Sequence, residues 1–307
     1  MNPYRVAIIG LGQIASKYKR ALDTIDRYKL VAVCDLNTNA ISRDIYSQYP
    51  FYADYMLLIE REYIDFVIIS TPPKTHKEIA MNVLQKNVNV FLEKPGVLDL
   101  NDMFMLFETA QKNNLFIQTM FHWQHTNELY FVKQNYPDLH KASSIKSIIY
   151  DPYMNSSKQI NPEKISLNGA WFDSGVNVLS MLSSLINLKT FREIKKTQFK
   201  DENSNLPYYA HHTYKSSNQS LSIIVNWRYQ RRDKQTLIKL DNKVIKIIHH
   251  LEEVYENNKL VYKSYEKDRL SSHYYNFFKQ LDIKQLSDTE FELIHRLLIK
   301  GGAVWNI

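Results

Sequence analysis

The chain has 307 residues, of which 44 % are hydrophobic and 13 % aromatic, enough apolar material for one large domain or two ordinary ones. Its 39 Lys and Arg outnumber its 32 Asp and Glu, giving a formal charge of +7. The densest basic cluster, residues 228–234, holds only four cations, interrupted by Tyr229, Gln230 and Asp233. With no basic tail and no aromatic-basic repeat, this charge reads as a general compositional drift rather than a nucleic-acid surface. No run is long and apolar enough to span a bilayer, and the N-terminal apolar run lacks a basic leader. The single cysteine, Cys34, cannot form an internal disulfide. A cytoplasmic protein with no membrane or nucleic-acid partner and no metal is expected.

In chain order, a short apolar strand over residues 5–9 leads into Gly10-Leu11-Gly12-Gln13-Ile14-Ala15 and a helix over 14–25. A second strand over 30–34 ends at Asp35. Strand, glycine turn, helix and a carboxylate about twenty residues on form the dinucleotide-binding fingerprint in its proper context. Gly10 permits the turn, Gly12 lets backbone approach a pyrophosphate, and Ala15 keeps helix and strand close. The pyrophosphate is expected at the helix N-terminus, with Gln13 and Ile14 beside it. Asp35 is expected to accept from the adenosine ribose hydroxyls and to repel a 2′-phosphate. NAD is therefore favoured and NADP remains possible, Arg43 being the nearby cation.

Strands follow over 66–70, 88–92 and 115–119, with helices over 40–48, 55–62, 74–86 and 100–113. This alternation predicts a doubly wound parallel sheet, a Rossmann domain, over residues 1–121. After His122 the pattern changes. A helix over 127–135, a strand over 144–151 and a loop with Pro152 and Pro162 precede a helix opening at Asp173. Strand-like runs follow over 191–199, 208–215, 221–229, 236–240, 243–248 and 259–265. Asp241-Asn242 and Glu256-Asn257-Asn258 read as hairpin turns. Helices over 269–284 and 289–300 close the chain. Residues 122–307 are thus expected to form an α+β substrate-binding and oligomerisation domain with an open, mainly antiparallel sheet. Val225, Trp227 and Tyr229 alternate with Ile224, Asn226 and Arg228, which predicts one strongly apolar face for a homodimer or homotetramer to bury.

Three segments carry chemistry. Thr71 and Pro72 end a strand and should line the cofactor groove, because ligands of such sheets bind beyond the strand carboxyl ends. His76 follows, either near the nicotinamide or as a capping side chain. Glu93-Lys94-Pro95 ends the next strand. Lys94 reads either as an ammonium of depressed pKa over the cofactor, able to exchange protons, or as a helix-entry lysine. In the third segment, Trp171-Phe172-Asp173-Ser174-Gly175-Val176-Asn177, Asp173 and Asn177 are one turn apart on one face. A helix N-cap at Asp173 does not account for the second polar residue.

Together these motifs resemble the Gfo/Idh/MocA oxidoreductases, and the resemblance spans essentially the whole chain. Glu93-Lys94-Pro95 is its most specific element. The segment from Phe172 to Ser180, with Asn177 where most members carry His, is similar to the D-galactose and L-arabinose 1-dehydrogenase branch, as is Asn226-Trp227-Arg228. Two segments depart from that branch: Asn161-Pro162-Glu163-Lys164-Ile165-Ser166 stands in place of a tryptophan-rich stretch, and in Phe121-His122-Trp123-Gln124-His125 the residues after His122 stand where the related enzymes have small and basic ones. The resemblance implies that Lys94, Asp173 and Asn177 surround the reacting carbon, with Glu93 and Lys94 also at the cofactor and His122 in the substrate pocket. It implies an NAD(P)-dependent dehydrogenase moving a hydride from C1 of a cyclic aldose to nicotinamide, giving a lactone. Asp173 would take the hydroxyl proton, with Lys94 completing the relay. Asn177 has no proton to exchange and would orient the sugar. Oxidation at another sugar or cyclitol carbon, keto-sugar reduction, and a non-catalytic cofactor-binding regulator are the alternatives.

Overall fold

The computed structural model describes residues 2–39, 44–282 and 288–300. The chain forms two compact units, Met1–His122 with Asp268–Glu292, and Trp123–Lys267 with Leu293–Ile307.

The first unit carries strands β1 (Tyr4–Ile9), β2 (Tyr28–Cys34), β3 (Phe51–Tyr52), β4 (Phe66–Ile69), β5 (Asn89–Leu92) and β6 (Ile117–Thr119). They pair in the order β3-β2-β1-β4-β5-β6, every pair parallel. That is the doubly wound order whose direction reverses between β1 and β4, where such sheets bind ligands. Helices α1 (Ala15–Asp23), α2 (Tyr55–Arg61), α3 (Pro73–Gln85) and α4 (Leu100–Lys112) connect the strands. Asp54 caps α2 by accepting from the Met56 N–H at 2.8 Å, and Asp99 caps α4 by accepting from the Asn101 N–H at 2.7 Å. The expected parallel sheet is present, with β3 as an additional two-residue strand. Of the helix expected over 40–48, residues 40–43 and with them Arg43 lie outside the described residues. Residues Asp44–Tyr46 form a single 3-10 turn.

The second unit carries α5 (Asn127–Asn135), β7 (Ser144–Pro152), α6 (Val176–Ser183), β8 (Arg192–Lys200), β9 (Pro207–Lys215), β10 (Ser220–Asn226), β11 (Arg228–Leu240), β12 (Lys243–Ile248), β13 (Glu253–Glu256) and β14 (Lys259–Lys263). Its strands order as β14-β13-β12-β11-β7-β10-β9-β8, antiparallel throughout except β7 with β10. Asn257 and Asn258 take φ of 49° and 67° in the β13–β14 hairpin, the pair of left-handed residues that a two-residue turn requires. The strongly apolar face expected from Val225 and Trp227 is this unit's own core. Both residues are fully buried, Tyr229 is 45 % exposed, and the outward positions of β10 are Ile224 and Asn226. The sequence alternation was right, but it does not tell which face the unit itself covers.

The chain ends in α7 (Arg269–Gln280) and α8 (Asp288–Lys300). Helix α7 packs on α1 in the first unit, and its Phe277 and Phe278 join an aromatic core with Phe66, Phe91 and Tyr28. The division of the sequence at 121/122 does not express this return of the chain. Asp268 accepts from Ser271 at the start of α7 and pairs with Lys17 and Arg20 of α1 at 2.9 and 2.8 Å. Among the described residues no helix is long and apolar enough to cross a membrane.

Candidate functional site

The glycine turn is held by its neighbours. Gly10 donates to the Cys34 carbonyl and its own carbonyl accepts from Ser70 Oγ at 2.7 Å. Its φ is +96°, and a Cβ there would lie 2.8 Å from Ser70 C and Thr71 N, so only glycine fits. Above Gly12 there is nothing within 4 Å of a Cβ position, and Gly12 and Gln13 are exposed. Ile14 is half-buried and Ala15 is fully buried against the sheet. Helix α1 starts with no side-chain cap. An open glycine backbone at an uncapped helix N-terminus suits a pyrophosphate. Asp35 stands beside it: Oδ2 accepts from the Leu11 N–H at 2.7 Å and Oδ1 from the Asn37 N–H at 2.8 Å. A carboxylate has about four acceptor positions, so both oxygens keep capacity for ribose hydroxyls.

Thr71 is half-buried and Pro72 exposed at the end of β4. His76 is fully buried, with Nε2 2.8 Å from the Thr71 carbonyl and Nδ1 3.2 Å from the Gly96 carbonyl. It caps no helix and ties the loop after β4 to the loop after β5. Burial pushes its pKa below the ordinary histidine value, against the pull of the Thr71, Gly96 and Pro95 carbonyls.

Beyond β5, Glu93 turns inward and Lys94 is half-buried, with the Lys94–Pro95 peptide cis. The Glu93 carboxylate accepts from the Tyr18 hydroxyl at 2.6 Å and from the Tyr274 hydroxyl at 3.3 Å. Burial raises its pKa; the Lys94 charge and the donors around it pull it back. His122 is also buried here. Its Nδ1 is 3.5 Å from the Tyr274 hydroxyl, and its ring lies 5.9 Å from that of His273.

In the second unit, Trp171–Gly175 form a π-helical turn that runs directly into α6. Asp173 is buried within it. Asn177 donates from Nδ2 to the Asp173 carbonyl at 3.2 Å, and Ser174 Oγ lies 3.5 Å from Asp173 Oδ2. The N-terminal positions of the π turn and of α6 are Ala170 and Gly175, neither using a side chain, so Asp173 is no helix cap. A Cβ on Gly175 would sit 2.6 Å from Trp171 Cε3. That ring cannot give way easily. Its Nε1 donates to the Leu298 carbonyl at 2.8 Å, and His212 stacks on it at 3.7 Å and 2°. Glu193 in turn binds His212 Nδ1. Tyr153 completes the surroundings: burial raises its hydroxyl pKa, and the Asp151 and Asp173 charges raise it further.

Sequence reasoning missed Tyr18, Tyr274, Tyr153 and the Trp171–His212 stack. Among the described residues no group of three or more His, Cys, Asp or Glu is placed to hold a metal ion.

Residues 4–121 match the sequence profile of the Gfo/Idh/MocA oxidoreductases, described as an oxidoreductase family with an NAD-binding Rossmann fold. The chain is 33 % identical over 113 residues to an inositol 2-dehydrogenase of Salmonella paratyphi B, covering 36 % of this chain and 34 % of that protein. It is 28 % identical over 123 residues to a glycosyl hydrolase family 109 protein of Shewanella pealeana, covering 36 % and 27 %. The chain thus matches about a third or less of the length of these relatives. The chain is similar in fold to UDP-N-acetylglucosamine 3-dehydrogenase GnnA from Acidithiobacillus ferrooxidans, with a TM-score of 0.78 at 14 % identity, covering 98 % of this chain and 97 % of that one. None of these three names a galactose or arabinose dehydrogenase.

Proposed function

We propose that this protein is an NAD-dependent dehydrogenase of a sugar or cyclitol, oxidising C1 of a cyclic aldose to a lactone. The observation that carries the reading is Asp173: a buried carboxylate, not a helix cap, with Asn177 braced one turn away. The NAD-binding segment supports it, and so does Lys94 at the end of β5. The cofactor supplies the hydride acceptor. Gly10, Gly12, Gln13, Ile14 and Ala15 hold its pyrophosphate, Asp35 its ribose, and Thr71, Pro72 and Glu93 line the groove. Asp173 accepts the hydroxyl proton, Lys94 stabilises charge on that oxygen or takes the proton on, and Asn177 orients the ring. His76 acts by fixing the two loops. His122 serves the substrate side through Tyr274.

A cyclitol substrate is the second reading, favoured by the inositol 2-dehydrogenase relative. A panel of aldoses and inositols, followed by NADH absorbance, separates the two. Turnover of aldoses with lactone formation is expected; turnover of inositols alone replaces C1 with a ring carbon. No turnover on any polyol would favour a cofactor-binding regulator. We further propose a homo-oligomer, dimer or tetramer, formed through the outward face of the second unit's sheet.

A further inference from the structure

We propose that Tyr18 and Tyr274 are positioning residues for Lys94, acting through the Glu93 carboxylate that they hold. The inference rests on the reading that Lys94 handles charge at the substrate.

Glu93 and Lys94 are consecutive residues leaving β5, so their side chains leave the chain in opposite directions. Glu93 enters the interior of the first unit, where an isolated carboxylate would be forced neutral. Two phenols and the Lys94 charge oppose this. Tyr18 reaches it from α1, the helix that opens at the glycine turn, and Tyr274 reaches it from α7. Their rings meet edge to face at 4.5 Å, so each phenol is fixed by the other. Burial and then the Glu93 charge hold the Tyr18 hydroxyl protonated, and the same two causes in the same order hold Tyr274. Both therefore act as donors. The Tyr274 hydroxyl also lies 3.5 Å from His122 Nδ1.

The carboxylate also accepts from the Lys94 backbone N–H and faces the Lys94 charge. The groups around it are thus Tyr18 from α1, Tyr274 from α7, and Lys94 from its own strand end. His122 and the stacked His273 lie behind Tyr274. The chain of donors favours the negative form of Glu93 against the pull of burial, and a negative Glu93 favours the ammonium form of Lys94 and fixes the backbone from which it projects. Without either hydroxyl, ionised Glu93 becomes more costly, it takes up a proton, and Lys94 loses its counter-charge.

The test measures Lys94 directly in the full chain. Lysines are dimethylated with ¹³C-formaldehyde, and the Lys94 resonance is assigned by its loss in Lys94→Arg and titrated. In Glu93→Gln its pKa should fall by about one unit, the scale expected for losing one nearby opposite charge. Tyr18→Phe and Tyr274→Phe, which keep both rings packed, should lower it by smaller amounts. A Lys94 pKa unchanged in all three variants overturns the proposal. The pH profile of polyol turnover is the second readout. Its Lys94-dependent limb, absent in Lys94→Arg, should move to lower pH in the same three variants. If the resonance moves and the limb does not, the positioning stands and it is the chemical role of Lys94 that fails.

Discussion

Four side chains carry the chemistry proposed here, and each is legible in the sequence because its context is local. Asp35 ends the strand after the glycine turn, Lys94 follows an apolar strand, and Asp173 and Asn177 share a helical face. With the Asp35 oxygens bound to Leu11 and Asn37 but not saturated, NAD should bind more tightly than NADP. Asp35→Ser should narrow the gap in fluorescence titrations; NADP binding as strong as NAD by the unaltered protein would discard the assignment. Tyr18 was not legible as a functional residue. It lies between Ala15 and Leu22 on the buried face of α1, a spacing that reads as core, and Tyr274 meets Glu93 across 181 residues of chain. Glu93 itself makes a stability prediction. Its folded pKa is raised, so from about pH 4.5 upward the unfolded chain releases a proton that the folded one keeps, and stability falls as pH rises through the folded value. Glu93→Gln removes that loss. Its melting temperature relative to the parent should rise steadily from acid to neutral pH, and a constant difference would show that Glu93 does not titrate in that window.

The elements were legible where periodicity is long and not where a short irregularity decides. A helix opening at Asp173 is what a 3.6-residue pattern predicts. The structure instead has a π turn at Trp171–Gly175 with the Trp171 ring packed against Gly175, a contact that no periodicity encodes. Gly175 is thus required by Trp171. Gly175→Ala should cost about 1–3 kcal/mol, as overpacking does, and lower the melting temperature while NAD affinity holds. Unchanged stability would mean that Trp171 moves freely despite its Leu298 bond and the His212 stack. The return of α7 was equally hidden, because Asp268 and Lys17 are 251 residues apart. Burial pushes the Asp268 pKa up, but the Ser271 donors and Lys17 outweigh it and hold it at about 2. A depressed carboxylate stabilises the fold above its unfolded pKa and loses that contribution as pH falls towards 2. Asp268→Asn should therefore lower the melting temperature at neutral pH and converge with the parent in acid. A constant offset at every pH would leave a cap without a charge effect.

At the scale of the whole molecule the open question is what covers the second unit's outward sheet face. Paired residues of neighbouring strands share a face, and the register names this one. Phe199, Tyr209, Asn226, Tyr150 and Asp233 lie on one rung, and Thr197, His211, Ile224, Ile148, Gln235 and Ile248 on the next. Tyr229 packs on Tyr150 at 4.6 Å, and Phe199 is 52 % exposed against Tyr209 at 5.2 Å. The alternate residues, Ala210, Val225 and Ile149, are buried in the unit's own core. The next rung on the same face, Lys195, Thr213, Ser222, Lys146, Leu237 and Lys246, adds three lysines beside these aromatic and β-branched groups, an apolar patch with a charged border that suits a protein interface. A second copy of the same face would bury it isologously, the commonest way for identical chains to associate. Light scattering at micromolar concentration should therefore report a dimer or tetramer. Ile224→Lys places a charge at the centre of the face without touching the core side of β10. It should shift the mass toward the monomer and leave NAD affinity in the first unit intact. A parent protein that is monomeric at that concentration contradicts the assignment. An oligomer that survives Ile224→Lys unchanged would place the interface on another surface.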